Sequence, residues 1–302
     1  MGEVQRIIRQ TVFTDFVEMP VISPEQFGEL VPQLSSPGGQ RLTRALFKIL
    51  NIDDVNAMYD RYAHLSGPEF ACEFLKGIGV DYQVGNASRL SSLPDGPFIT
   101  ISNHPYGHID GISLIDLFGH LRPGYKVMVN KLLSYVKALR DNFITVIPTG
   151  DVRTAAQAES IRGVRLALEQ LRGGGAMGIM PSGAVSDLSL RERCVRDRQW
   201  QEPAIKLIRK AGVPVVPVRF FDGNSPFYYS LGLISSSVRL LRLPSEVLNK
   251  KGKDVRLAIG EPISVETQRS CSSLDELRTL LRSSVYDMPL PSSFVRRSEL
   301  SL

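Results

Sequence analysis

One stretch of the 302-residue sequence, FITISNHPYGHIDGISL, has residue types and spacing suited to acid–base chemistry. An apolar run ends at Asn103-His104-Pro105, Gly107 permits a tight turn, and Asp110-Gly111 opens a helical pattern. A histidine on such a turn, with an aspartate six residues on, can form a base and its orienter. One imidazole nitrogen takes a proton. The carboxylate accepts a hydrogen bond from the other, fixing the tautomer and favouring the imidazolium as it forms. The non-catalytic reading of the same residues is a turn histidine and a capping aspartate. His108, in the same turn, is the alternative base. It lies closer to the helix, however, and Asp110 is the only carboxylate at comparable reach. His64 and His120 fall in helical patterns and read as structural.

Two more segments sit where apolar runs end. In MGIMPSGAVSDLS, Pro181-Ser182-Gly183 predicts a turn with exposed N–H groups, a nest able to hold a carbonyl oxygen as it becomes negative. Ser182 reads as a turn-former or substrate contact rather than a nucleophile, because the G-x-S-x-G pattern is missing from Met-Pro-Ser-Gly-Ala. In VPVVPVRFFDGNSPFYYSLG, two prolines predict an edge or irregular strand. Arg219 and the turn Asp222-Gly223-Asn224-Ser225 follow, then an aromatic cluster that could line a groove.

These turns need a scaffold. Candidate strands at 97–103, 125–130, 143–148, 176–181, 213–221 and 255–260 alternate with helical patterns near 110–120, 131–140, 153–172 and 202–211. Near-continuous apolar strands alternating with helices predict an α/β fold with a mixed, largely parallel sheet flanked by helices. In such sheets the chemistry lies at the strands' carboxyl ends, where these turns fall. Residues 38–78 read as helices, so the chain divides into an N-terminal helical subdomain (1–80), an α/β domain (81–290) and a flexible C-terminal tail (291–302).

The composition is that of a globular chain, with 43% hydrophobic and 22% charged residues. It excludes a disordered chain, a fibre and a coiled coil. The formal charge of +5 is too small to argue nucleic-acid binding. Three cysteines far apart, with no CxxC pair, argue against a disulfide framework or zinc site and fit a reducing cytoplasm. No run approaches the roughly 18 apolar residues of a spanning helix. The opening MGEVQRIIRQ lacks a signal peptide's apolar region and the small hydroxyl residue of a myristoylation site. Any membrane contact is therefore expected at the surface. Residues 191–210 hold seven Lys or Arg against three acids, and 239–256 hold six against two. A solvated face is the default reading. An anionic membrane or an acidic carrier protein is the alternative.

Taken in order, NHPYGHIDG, PSG-AVS, VPVVPVRFFDGNSPFYY and IGEPI resemble the glycerolipid acyltransferase superfamily, and most closely its bacterial hemolysin-like branch of ornithine-lipid and related aminolipid O-acyltransferases. LNIDDVNAMYDRYAHLSGPEFACEFL also looks like that branch, so the resemblance spans about residues 40–265. It implies that His104 is the general base and Asp110 its orienter. The base deprotonates an acceptor hydroxyl that attacks the thioester of an acyl carrier protein or acyl-CoA, with no acyl-enzyme. No metal or tightly bound cofactor is implied; the acyl thioester is a co-substrate. Asn103, Gly107, Pro181, Ser182, Gly183, Arg219, Asn224 and Ser225 become candidate substrate contacts. Expected partners are a membrane lipid surface and acyl carrier protein, with the protein cytoplasmic and peripheral on the inner face of the membrane. In the glycerol-phosphate enzymes a second-motif arginine and a third-motif glutamate hold the acceptor. Here Val146 and Ser182 stand about there. Losing charged partners for a phosphate favours an aminolipid acceptor over lysophosphatidic acid. Arg219 and Arg140 are the possible substitutes. A lipid hydrolase and a non-catalytic lipid-binding protein are the competing classes.

Overall fold

Along the central strands, side chains of both parities are apolar. Ile99, Ile101 and Val215 join one core, while Val216, Val218 and Phe220 join another on the opposite face of the sheet. Burial on both faces is what a sheet with helices on each side requires. The computed structural model describes residues 36–131, 133, 136–147 and 154–302.

Helices α1 (Pro37–Ile49), α2 (Ile52–Tyr62) and α3 (Gly67–Gly77) lead into β1 (Gln83–Gly85) and β2 (Ile99–Ser102). Next come α4 (His108–Leu121), β3 (Lys126–Asn130), β4 (Phe143–Val146), α5 (Thr154–Arg172) and β5 (Met177–Ile179). A small hairpin, β6 (Asp187–Ser189) and β7 (Cys194–Arg196), precedes α6 (Glu202–Ala211) and β8 (Val215–Phe220). The chain closes with α7 (Pro226–Ile234), α8 (Ser236–Leu241), α9 (Leu243–Leu248), β9 (Arg256–Ile259), α10 (Val265–Ser270), α11 (Leu274–Tyr286) and β10 (Phe294–Arg296).

Eight strands form one sheet in the order β10-β1-β9-β8-β2-β5-β3-β4. Only β8–β9 and β1–β10 pair antiparallel. The expected mixed, largely parallel sheet is therefore present. The apolar residues of α2, α3 and α4 fill one core, and those of α5, α6 and α11 fill the other. Local signals agree with the long-range ones. Gly212 ends α6 in the left-handed conformation at φ 60°, and Ser273 caps α11 by accepting the Glu276 N–H.

Several expectations are corrected. β8 is central, not an edge: it lies between β9 and β2. It tolerates Pro217 because that residue falls in a gap between the Val218–Phe220 ladder and the Val215–Ile263 bridge, where no N–H is needed. The helical pattern near 131–140 yields a 3₁₀ segment, Lys137–Asn142. The end of the chain is not a loose tail. β10 pairs with β1, Arg297 N–H donates to Tyr82 O at 2.7 Å, and Ser298 bonds Asp81. Tyr59, Phe70 and Phe74 of the early helices share one core with Phe118 and Val127 of the α/β region. The first 35 residues of the expected N-terminal subdomain lie outside the described residues.

Candidate active site

The His104 turn is built from its own peptide groups outward. Asn103 ends β2 by acting as one more peptide unit: its Nδ2 donates to Phe220 O and its Oδ1 accepts from Phe220 N–H, each at 2.8 Å. This extends the β2–β8 ladder past Ser102 and fixes where the chain leaves the sheet. Gly107 then turns with φ 89°, a conformation side chains rarely adopt, and a Cβ there would press on Leu243 and Val185 at 3.2 Å. Helix α4 begins at once. Asp110, in its first turn, accepts the Gly107 N–H at 2.9 Å and the Tyr106 N–H at 3.0 Å.

The same Oδ2 of Asp110 lies 2.8 Å from His104 Nδ1, with both side chains buried. An Nδ1–H donated to Asp110 puts the lone pair on Nε2. Burial pushes the Asp110 carboxyl above its ordinary range, opposed by His104 and the two N–H groups. One carboxylate thus caps the helix and contacts the His104 ring.

A second carboxylate, not singled out by the sequence, grips His104 from the other side. Buried Asp197 accepts the His104 backbone N–H at 3.1 Å and the Ser186 hydroxyl at 2.6 Å through Oδ1, and the Trp200 indole N–H at 3.0 Å through Oδ2. Ser186 N–H returns to His104 O at 2.9 Å. Asp197 therefore holds the His104 backbone in place. Its only signal in the sequence is an acid three residues before the sole tryptophan, inside a basic run. We expect Asp197→Asn to lower kcat about tenfold to a hundredfold by displacing His104, with KM for both substrates near wild type. Steady-state kinetics on a variant checked for an unchanged melting temperature tests this. A fall in stability with kcat intact would make Asp197 a scaffold residue alone.

His104 opens on a cavity of about 170 Å³. Tyr59, Phe70 and Phe74 wall one part of it, and Met128, Val164 and Leu207 another. Among the described residues, no Lys, Arg, Asp or Glu lines it. Of the sequence-derived candidates, His104, Gly107, Pro181 and Gly183 reach the cavity, and Asp110 stands behind His104. His108 also lines it.

The others do not reach it. Ser182 donates to Ala184 O at 2.8 Å. The expected N–H nest is largely spent on the turn itself, because Gly183 N–H donates to Met180 O at 3.0 Å. Arg219 does not line the cavity. Its guanidinium donates to Tyr286 O and to Met288 O and stacks over Phe221. Asn224 Nδ2 donates to Tyr106 O at 3.0 Å, and Ser225 caps α7 while bonding Glu246. Asn103 and Asn224 therefore hold the His104 turn, Ser225 ties the start of α7 to Glu246, and none of the three lines the cavity.

A family profile described as Acyltransferase matches residues 28–290. The chain belongs to that family. Two curated relatives, both lyso-glycine lipid O-acyltransferases, are similar to this acyltransferase. The one from Bacteroides thetaiotaomicron is 25% identical over 74% of this chain and 80% of its own. The one from Phocaeicola vulgatus is 26% identical over 72% of this chain and 77% of its own. Among solved structures, the crystal structure of the 1-acyl-sn-glycerophosphate (LPA) acyltransferase PlsC from Thermotoga maritima aligns with TM-score 0.47 and 18% identity, over 93% of this chain and 95% of that one.

Proposed function

We propose that this acyltransferase moves a fatty acyl group from an acyl thioester, carried by acyl carrier protein or coenzyme A, to the hydroxyl of a lyso-lipid. The acceptor is an aminolipid of the monoacyl-glycine kind. The observation that carries the reading is the His104–Asp110 pair opening on an apolar cavity. His104 Nε2 takes the proton of the acceptor hydroxyl as its oxygen attacks the thioester carbonyl. The tetrahedral centre then expels the thiolate, which recovers that proton from the imidazolium. The ester C–O bond forms on attack, the C–S bond breaks as the tetrahedral centre collapses, and no acyl-enzyme intervenes. Asp110 keeps the lone pair on Nε2 and balances the imidazolium. Asp110, pushed upward by burial, loses its charge at a higher pH than an ordinary carboxylate would, and with it the acceptor that fixes the His104 tautomer. Activity is therefore lost on the acid side.

The cavity suits an acyl chain, each buried methylene contributing about 0.8 kcal/mol. The choice of acceptor rests on the relatives' names and on the lining. A phosphate calls for a charged, bidentate partner. Val146 lines the cavity where an arginine would help, Arg219 is committed elsewhere, and Arg140 is exposed on a 3₁₀ turn. Because the acceptor is a membrane lipid, we place the enzyme peripherally on the inner face of the cytoplasmic membrane.

The test is competition between acceptors. With labelled acyl–carrier protein, kcat/KM for a lyso-glycine lipid should exceed that for lysophosphatidic acid by at least about tenfold, the worth of one missing charge-assisted contact. The opposite preference would overturn the acceptor assignment.

A further inference from the structure

Helix α7 runs against the usual rule for a surface helix. Its inner face is filled by Tyr228 and Tyr229, yet its outer face is also apolar, with Phe227 57%, Leu233 50% and Ile234 82% exposed. α7 packs against β6, and the hairpin of β6 and β7 exposes Leu190 and Val195. Of the nine large apolar side chains exposed among the described residues, five therefore sit on α7 and this hairpin. Scattered exposed apolar residues are ordinary; a cluster marks an interaction surface.

The charge around the cluster narrows the partner. Arg191 and Arg193 are exposed at the hairpin tip, and Arg242 stacks its guanidinium 5.7 Å from the Phe227 ring centroid. Glu192, the acid at the same tip, lies 3.4 Å from Arg196. Aliphatic and aromatic side chains inside a rim of arginines match the boundary between acyl chains and anionic headgroups. There arginines reach up to phosphates while apolar side chains enter below. Among the described residues no helix is long and apolar enough to cross a membrane, so contact by those residues is made from the surface.

We infer that α7 and the β6–β7 hairpin dock this enzyme on a bilayer containing anionic lipid. The inference names the partner of the site proposed above and rests on that reading for its purpose. The inner side of α7 ties the docking face to the chemistry: the Tyr229 hydroxyl donates to Pro105 O at 2.7 Å, next to His104. Docking through the outer side leaves one helix, α7, between the bilayer and the His104 turn.

Co-sedimentation of the full chain with vesicles tests this. Phosphatidylcholine vesicles mixed with phosphatidylglycerol should bind it, and phosphatidylcholine alone should bind it weakly. Binding to the mixed vesicles should weaken as salt screens the arginines but not vanish, because the apolar contact remains. Leu233→Ser/Ile234→Ser should reduce partitioning about tenfold or more. Turnover of detergent-dispersed acceptor, which needs no bilayer, should be unchanged and also reports that the variant is folded. Arg191→Glu/Arg193→Glu should reduce binding to mixed vesicles only, with KM for acyl carrier protein unchanged. Wild-type binding by the Leu233/Ile234 variant overturns the docking face, whichever acceptor the enzyme uses. So does a raised KM for acyl carrier protein with vesicle binding intact, which would assign this face to the carrier. Failure of acyl transfer with vesicle binding lost in the variants would instead leave the docking face standing and remove the proposed reaction.

Discussion

His104→Ala should lower kcat/KM by at least about a hundredfold, the usual worth of a positioned general base. The fold should survive the change. Without the imidazole, Asp110 still accepts the Tyr106 and Gly107 N–H groups, so the first turn of α4 keeps its cap. Matched thermal melting of wild type and variant, alongside the rates, separates lost chemistry from lost structure. Asp110→Asn should also be severe. An asparagine whose carbonyl oxygen takes the place of Oδ2 still accepts the two N–H groups and the Nδ1–H, but it carries no charge to balance the imidazolium as it forms. Near-normal turnover in both variants would reduce the pair to a turn and its cap.

The largest effect on stability is expected far from this pair, at the end of the chain. Arg297 binds Asp116 in the middle of α4 through two contacts, Nε to Oδ2 at 2.7 Å and Nη2 to Oδ1 at 2.9 Å. Asp116 is fully buried and also accepts the Tyr82 hydroxyl at 2.7 Å, while His120 Nδ1 lies 3.2 Å from it. Removing one partner of a buried ion pair strands the other, at a cost of about 3–5 kcal/mol. Arg297→Ala should cost that much in urea unfolding, and Arg297→Lys should recover only part of it because a lysine cannot make the forked contact. A loss below about 1 kcal/mol would mean that the last strand folds independently of α4. Since α4 begins at the His104 turn, a loosened C-terminal strand should also lower activity.

The parts of this molecule that the sequence makes legible are those encoded locally. His104 and Asp110 are six residues apart on one turn, so their meeting needs only a strand, a glycine and a helix start. The six apolar runs that become β2, β3, β4, β5, β8 and β9 show for the same reason. What the sequence hides depends on distant partners. β1 and β10 are three residues each: β10 depends on pairing with β1 across the length of the chain, and β1 on pairing with both β10 and β9. The hairpin at 187–196 reads as a basic run because its arginines mask the alternation. Asp197 looks like one more charge until the fold brings it under the His104 peptide. Asn103, Asn224 and Ser225 stand out by type, but their side chains turn toward backbone and Glu246 instead of the cavity, which spacing cannot tell. Two members of the second basic stretch, Arg239 and Lys250, are buried in ion pairs with Asp187 and Glu246 rather than solvated.

Direct, base-assisted transfer from thioester to lyso-lipid hydroxyl is checked by following label from acyl–carrier protein with and without a lyso-glycine lipid, in wild type and in His104→Ala. Labelled diacyl product should form only when acceptor is present, with no label bound to protein and almost no product in the variant. Free labelled fatty acid released without acceptor, or full product formation by His104→Ala, would contradict it.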